Sequence, residues 1–84
     1  MTFGEALCGM RTGLKYYRKG WNGKNMWVCL YPPPKGKLTH PFLVIEYPVG
    51  HPAYPHGSCI PWLASQTDIL AEDWAQYTWE GYYD

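Results

Sequence analysis

The N-terminal stretch has the pattern of a short amphipathic helix. Four apolar residues recur at the three- and four-residue spacing that places side chains on one helix face: Phe3, Ala6, Leu7 and Met10. Thr2 and Glu5 form a capping-box pattern, in which each side chain accepts a hydrogen bond from the other residue's backbone N–H. Gly13 stops the apolar run. We therefore predict a helix that begins just after Thr2.

The segments that follow are typical of β-strands. We predict about four or five strands, drawn from residues 14–21, 26–31, 42–47, 58–62 and 75–79. The Asn22-Gly23 pair is a strong hairpin signal, because both residues tolerate the backbone angles of a tight turn. The prolines at 32–34 have no N–H to donate and should end the second strand. Residues 48–58 are rich in proline and glycine, and we predict an irregular loop there.

A second helix start lies late in the chain. Ser65 and Asp68 repeat the capping-box spacing, with Asp in place of the usual Glu. We expect a short helix after Ser65, with Ile69 and Leu70 facing inward. The whole pattern predicts an α+β fold, in which the N-terminal helix packs on an antiparallel sheet and a short helix comes late.

The size and composition predict one small domain, residues 1–84. A chain of this length buries only about 60 to 65% of its unfolded surface. Five Trp and eight Tyr are more than such a core can hide, so some should face a ligand, a partner or a sister subunit. A net charge of zero argues against a nucleic acid polymer. The chain has no long apolar stretch, and its three cysteines show no pairing motif, so we expect a cytoplasmic protein with reduced thiols and no membrane span.

Catalytic and metal motifs are weak. His51, His56 and Cys59 have a spacing that zinc tolerates, but a second cysteine pair is missing. Glu72 and Asp73 are expected at the end of the late helix, where acidic side chains are slightly unfavourable. Nucleophile-elbow, dinucleotide-binding and phosphate-loop motifs do not occur. We therefore predict no catalytic residues, no metal and no cofactor.

A binding site needs less than an enzyme does. Trp21 and Trp62 each stand at the end of a predicted element beside polar residues, and an indole face can stack on a nucleotide base. The flanking polar candidates are Arg18, Asn22, Asn25, Ser65, Thr67 and Asp68. Arg18 or Lys19 can meet a pyrophosphate, while Asn and Asp side chains can contact a ribose or a base edge. For Trp27, Trp74 and Trp79 we expect core packing instead.

Three blocks of the chain resemble a known family. They are FGEAL at 3–7, RKGWNGK at 18–24 and PWLASQTDILAEDW at 61–74. In this order they are similar to the second type of Thoeris anti-defence protein, a family of small phage-encoded proteins. The chain departs from that pattern at 48–58, where proline and histidine are frequent.

The resemblance implies a sponge that acts in the cytoplasm of the infected bacterial host. In Thoeris immunity a TIR-domain protein makes a cyclic ADP-ribose isomer, and members of this family bind that signal without cleaving it. They form homotetramers with ligand pockets between subunits, and some hold cyclic dinucleotides at separate sites. By this resemblance Trp21 and Trp62 sandwich the ligand, and Asn22, Thr67 and Asp68 are polar contacts. Independently of the resemblance, the charge of Asp68 would repel a phosphate at that helix end, so we expect the phosphates to lie toward Arg18 or a neighbouring subunit.

Two alternatives stay open at this stage. The excess of aromatic residues and the zero net charge fit a protein-interaction module that blocks a host defence protein equally well. A phosphodiesterase that degrades the same signal is a further alternative. A sponge binds the nucleotide and releases it intact, a phosphodiesterase hydrolyses it, and an interaction module does not bind it.

Overall fold

The computed structural model describes residues 1–21, 25–33 and 39–78. Within them the chain forms two helices and five strands in the order α1 (Phe3–Met10), β1 (Tyr16–Arg18), β2 (Trp27–Tyr31), β3 (Phe42–Val49), β4 (His56–Pro61), α2 (Gln66–Leu70) and β5 (Trp74–Gln76). The predicted α+β arrangement is confirmed. Across the described ranges, neither helix is long and apolar enough to span a membrane.

The sheet is antiparallel, with strand order β4-β3-β2-β1-β5. The last strand returns to pair with the first, so that Arg18 lies opposite Trp74. This pairing brings the segment that contains α2 to the end of β1. Residues from the second and third sequence blocks therefore meet there.

The predicted N-terminal helix is confirmed, including its cap. The Thr2 hydroxyl accepts the Glu5 N–H at 3.2 Å, and the Glu5 carboxylate accepts the Thr2 N–H at 2.9 Å. One turn apart, Ala6 and Met10 face the sheet and are fully buried. The buried core cluster comprises Ala6, Met10, Tyr16, Val28, Ile45 and Trp74.

The first predicted strand, 14–21, is too long. β1 spans only Tyr16–Arg18. It ends because the Trp21 N–H donates to the Arg18 carbonyl at 3.2 Å and closes a turn. The second strand begins one residue later than predicted, at Trp27. The Asn22-Gly23 turn signal lies outside the described residues.

The predicted irregular loop at 48–58 is confirmed only for residues 50–55, and its predicted bounds are too wide. β3 continues through Pro48 to Val49, and β4 begins at His56, so the two strands form a regular hairpin. Pro48 is tolerated because the pairing of β2 with β3 ends at Glu46. Beyond that residue β3 has a hydrogen-bonded neighbour on one side only, and a missing N–H costs little there.

The prediction that Ile69 and Leu70 face inward is wrong. Ile69 is 48% exposed and Leu70 is 77% exposed. The helix ends at Leu70, so Glu72 and Asp73 lie beyond it rather than in its last turn. The fully buried side chain of this region is Trp74.

The three tryptophans expected in the core have different outcomes. Trp74 is confirmed there, at 2% exposed. Trp27 is only half-buried, and alternation along β2 places it on the sheet face opposite to the buried Val28. For Trp27 the prediction is therefore wrong, and Trp79 lies outside the described residues.

Candidate functional site

Four aromatic rings meet where α1, the end of β1 and the entry to α2 come together. We call Phe3, Trp21, Trp62 and Trp74 the aromatic cluster. Trp74 is its centre, with ring centroids 5.4 Å from Phe3, 5.5 Å from Trp21 and 6.0 Å from Trp62. Its indole N–H donates to the Asp68 carbonyl at 2.9 Å. The cluster thus ties α2 to the core through a buried ring.

Trp21 and Trp62, the two predicted ligand walls, are neighbours in this cluster. Both are half-buried, and their centroids lie 6.2 Å apart with the ring planes tilted by 66°. Two walls that stack on one flat ring are parallel and about 7 Å apart, because each carbon contact is about 3.5 Å. As placed in a single chain, the two rings do not form a parallel slot. Their role as ligand walls stays a prediction.

An ionic cluster of Arg18, Asp68 and Asp73 lies beside the rings. Arg18 donates from Nη1 to Asp68 at 2.9 Å and from Nε to Asp73 at 2.8 Å. The hydrogen bond from Arg18 is the main reason that the pKa of Asp73 is lowered. The same contacts raise the pKa of Arg18, first through Asp73 and then through Asp68. Two nitrogens of the guanidinium, Nε and Nη1, are therefore engaged by carboxylates.

Both oxygens of Asp68 have donors. Oδ2 accepts the backbone N–H and the hydroxyl of Ser65, at 3.1 and 2.7 Å, and this confirms the predicted capping box. Oδ1 accepts from Arg18, and more weakly from the Trp21 indole N–H at 3.4 Å. Burial alone would raise the pKa of Asp68, but the hydrogen bonds from Ser65 and Arg18 outweigh it and lower the pKa. A ligand ribose would have to share this carboxylate.

The structure brings five of the eight predicted site residues together: Arg18, Trp21, Trp62, Ser65 and Asp68. Thr67 is exposed beside them, and its hydroxyl lies 2.8 Å from that of Ser65. Asn25 is exposed, with φ at +65°, a left-handed conformation that asparagine adopts more readily than most residues. Asn22 lies outside the described residues. The ligand-binding roles of all eight residues stay predictions.

Sequence reasoning missed Asp73 as a member of this site. Besides Arg18, its carboxylate accepts the Gly20 N–H on Oδ2 at 2.8 Å. Its backbone carbonyl accepts the Lys19 N–H at 3.1 Å. Asp73 reaches the turn after Arg18 because β5 pairs with β1. This pairing is long-range, so no local sequence pattern indicates it.

A second polar group was missed on the opposite face of the sheet. We call it the Glu46 cluster: Glu46 with Lys15, Trp27, Cys29, Tyr31 and Cys59. The closest donors to Glu46 are the Trp27 indole N–H at 2.6 Å and the Tyr31 hydroxyl at 2.7 Å. Burial would raise the pKa of Glu46, yet these hydrogen bonds lower it to about 2. The spacing of Trp27, Cys29 and Tyr31 on one strand face could have indicated it.

Cys29 and Tyr31, two neighbours of Glu46, are held in their protonated forms. Burial first, and then Glu46, raises the pKa of the Cys29 thiol to about 12. The pKa of Tyr31 is also raised, through its hydrogen bonds with Cys59 and Glu46. The three cysteines are free thiols. A thiol with so high a pKa is a poor nucleophile at neutral pH.

The histidines of the β3–β4 hairpin are not arranged around a common point. His51 packs against Tyr47 and Tyr54, and its Nδ1 accepts the Ala53 N–H at 3.1 Å. His56 is exposed at the start of β4. In the parts of the chain that the structure describes, no three His, Cys, Asp or Glu side chains are grouped to hold a metal ion.

The fold and these contacts define a class of small α+β proteins, in which an antiparallel sheet carries an aromatic cluster and an ionic cluster at the end of its first strand. The chain belongs to the Tad2-like family: residues 1–77 match the model of the Thoeris anti-defense 2-like domain. It is also similar to Thoeris anti-defense 2 of Bacillus phage SP01, at 39% identity over 82 residues, which cover 88% of this chain and 91% of that protein. Family membership implies a phage function against Thoeris defence.

Proposed function

We propose that this protein is a sponge that binds and sequesters the cyclic ADP-ribose-type signal of Thoeris immunity, glycocyclic ADP-ribose, without cleaving it. It acts in the cytoplasm of the infected host, and a cyclic dinucleotide is a further ligand at a separate site. The observation that carries the proposal is the meeting of Trp21, Trp62 and Asp68 in a chain of the Tad2-like family. Sequestration requires binding affinity and does not require a lowered activation barrier, so the proposed site needs no catalytic group.

The chemistry of the cluster favours the base and ribose end of such a ligand. Stacking on an aromatic face is worth about 1 to 3 kcal/mol per base. The ionic cluster carries one positive and two negative charges, because Arg18 is shared by Asp68 and Asp73. A phosphate is repelled by that net negative charge. We place the phosphates toward the exposed Lys19 or toward a second subunit.

The surface beside the cluster favours a homo-oligomer, which we take to be a tetramer with pockets between subunits. Leu63 is 92% exposed, and it lies near the exposed Ile69 and Leu70 of α2 in the sequence. A contiguous exposed apolar surface marks an interaction site, and we infer that these three side chains form one. A second chain on this surface would also bring another side chain to a ligand that is stacked on Trp21 or Trp62.

Calorimetry with purified glycocyclic ADP-ribose and its cyclic isomers tests the proposal. We expect Trp62→Ala to raise the dissociation constant about 10- to 100-fold, the effect of losing one stack. Trp27→Ala is the matched control, because it removes an indole from the opposite sheet face. Heat denaturation of the wild-type complex should return the nucleotide intact. Hydrolysed nucleotide would mean that the protein is a phosphodiesterase.

The competing function is a protein-interaction module that blocks a host defence protein. The exposed Leu63, Ile69 and Leu70 favour it, because an apolar surface fits a protein partner as well as a second copy. Inhibition of the purified TIR protein or of its effector, with no binding of any cyclic isomer, would establish this alternative. Depletion of the free signal would exclude it.

A further inference from the structure

Asp73 holds the turn that precedes Trp21 by three hydrogen bonds. Its carboxylate accepts Arg18 Nε on Oδ1 and the Gly20 N–H on Oδ2, both at 2.8 Å. Its carbonyl accepts the Lys19 N–H at 3.1 Å. Three consecutive residues of the turn therefore have their donors fixed by one residue of the segment between α2 and β5.

Trp21 depends on this turn for its position. The Trp21 N–H closes the turn on the Arg18 carbonyl at 3.2 Å. The ring itself is only half-buried, and its one side-chain hydrogen bond, to Asp68, is long at 3.4 Å. Edge-to-face contacts with Trp62 and Trp74 also orient the ring, so the turn and these contacts set its position together.

Gly20 makes the contact between Asp73 and the turn possible. A Cβ atom at this position would lie 2.7 Å from Asp73 Oδ2, a distance that real Cβ contacts essentially never show. Glycine therefore allows the carboxylate to approach the backbone N–H. Any larger residue would push the carboxylate away and weaken its hold on the turn.

We propose that Asp73 is a positioning residue for ligand binding: it does not touch the ligand but fixes the orientation in which Trp21 presents its ring. This role rests on the proposed sponge function. Both carboxylate oxygens are needed, one for Arg18 and one for Gly20. Asparagine keeps the shape of the side chain but has a single acceptor oxygen, so it cannot serve both donors.

The test compares Asp73→Asn and Gly20→Ala with Glu72→Gln, a control at an exposed neighbouring acid. The first readout is the indole N–H resonance of Trp21 in a ¹⁵N spectrum without ligand. The second is the dissociation constant for glycocyclic ADP-ribose, measured well below each variant's unfolding temperature. We expect both test variants to shift or broaden the Trp21 resonance, to leave in place the indole resonance of Trp27 on the opposite sheet face, and to raise the dissociation constant about tenfold. Glu72→Gln should change neither.

Two results would overturn the proposal. In the first, the Trp21 resonance stays unchanged in both test variants. In the second, the resonance moves but the dissociation constant stays within twofold of the wild type. A wild-type protein that binds no cyclic isomer refutes the sponge function itself, and the role in binding with it. The ligand-free spectra then decide separately whether Asp73 orients Trp21.

Discussion

Arg18 and Asp68 are fifty positions apart in the sequence, and Nη1 of the arginine lies 2.9 Å from Oδ1 of the aspartate. This contact joins the end of β1 to α2, a five-residue helix that buries none of its own side chains. A helix of this length is not stable by itself. It is held in place by polar contacts at Asp68 and by the apolar residues on either side of it.

Arg18→Gln should therefore destabilise the fold by about 2 kcal/mol, because it removes two charged hydrogen bonds and leaves two carboxylates facing each other. Urea denaturation followed by tryptophan fluorescence measures the change. Arg11→Gln is the matched control, since Arg11 is exposed at the C-cap of α1. Equal stability of the two variants would show that the ionic cluster contributes nothing measurable.

Glu46 should determine part of the acid stability. Its pKa falls from 4.5 to about 2 on folding, so the stability that it contributes is fully present above pH 4.5 and is lost as the pH falls toward 2. We expect Glu46→Gln to cost about 2 kcal/mol at pH 7, allowing for the screening of a half-buried carboxylate.

The free energies of unfolding of wild type and Glu46→Gln should approach each other as the pH falls toward 2, because Glu46 is then protonated in the unfolded chain and about half protonated in the folded one. Both proteins should still lose stability in acid, because the pKa values of Asp68 and Asp73 are also lowered. Urea titrations at several pH values between 2 and 7 provide the comparison. A constant difference across that range would contradict the lowered pKa.

The elements with local start signals were predictable from the sequence. Both capping boxes form as expected, because the groups that satisfy each helix N-terminus lie within three residues of one another. The side of α2 that faces the core was not predictable. A five-residue helix has little more than one turn, so the spacing of Ile69 and Leu70 does not define a buried face.

The rest of the site depends on long-range pairing. Asp73 looked like an unfavourable acid at a helix end, yet it contacts Arg18 across 55 positions because β5 pairs with β1. The β3–β4 hairpin was hidden by its prolines. Pro48 is typical of a strand end. It fits within β3 only because β2 pairs with β3 no further than Glu46, which the sequence does not show.

Gly57 in the β3–β4 hairpin should not tolerate substitution by alanine without a loss of stability. Gly57 has φ at +80°, and a Cβ atom there would lie 3.1 Å from the Tyr47 carbonyl oxygen. Gly57→Ala should therefore cost about 1 to 2 kcal/mol. Gly4→Ala is the opposite case, because Gly4 lies in α1 and its Cβ would have ordinary space, with the Thr2 hydroxyl 3.9 Å away.

Gly4→Ala should be neutral or stabilise the protein by up to about 1 kcal/mol, since alanine has the higher helix propensity. Thermal unfolding of the two alanine variants side by side tests the pair. A Gly57→Ala protein as stable as Gly4→Ala would mean that the hairpin does not hold Gly57 in the left-handed region.

Leu70→Glu tests the proposed contact between subunits. Leu70 is 77% exposed, so a charge there should leave the fold of the single chain intact but oppose burial against a second copy. We expect the dissociation constant of the oligomer to rise at least tenfold, with an unchanged circular dichroism spectrum. Sedimentation velocity over a range of protein concentrations measures the assembly.

Val49→Glu is the matched control for that variant. Val49 is 75% exposed at the end of β3, remote in the sheet order from the β1–β5 edge where the site lies. This control should keep the wild-type mass. If the pocket lies between subunits, Leu70→Glu should also weaken binding of glycocyclic ADP-ribose, whereas Val49→Glu should not. A wild-type protein that sediments as a monomer at all concentrations, or a Leu70→Glu variant with an unchanged mass, would exclude this surface as the interface.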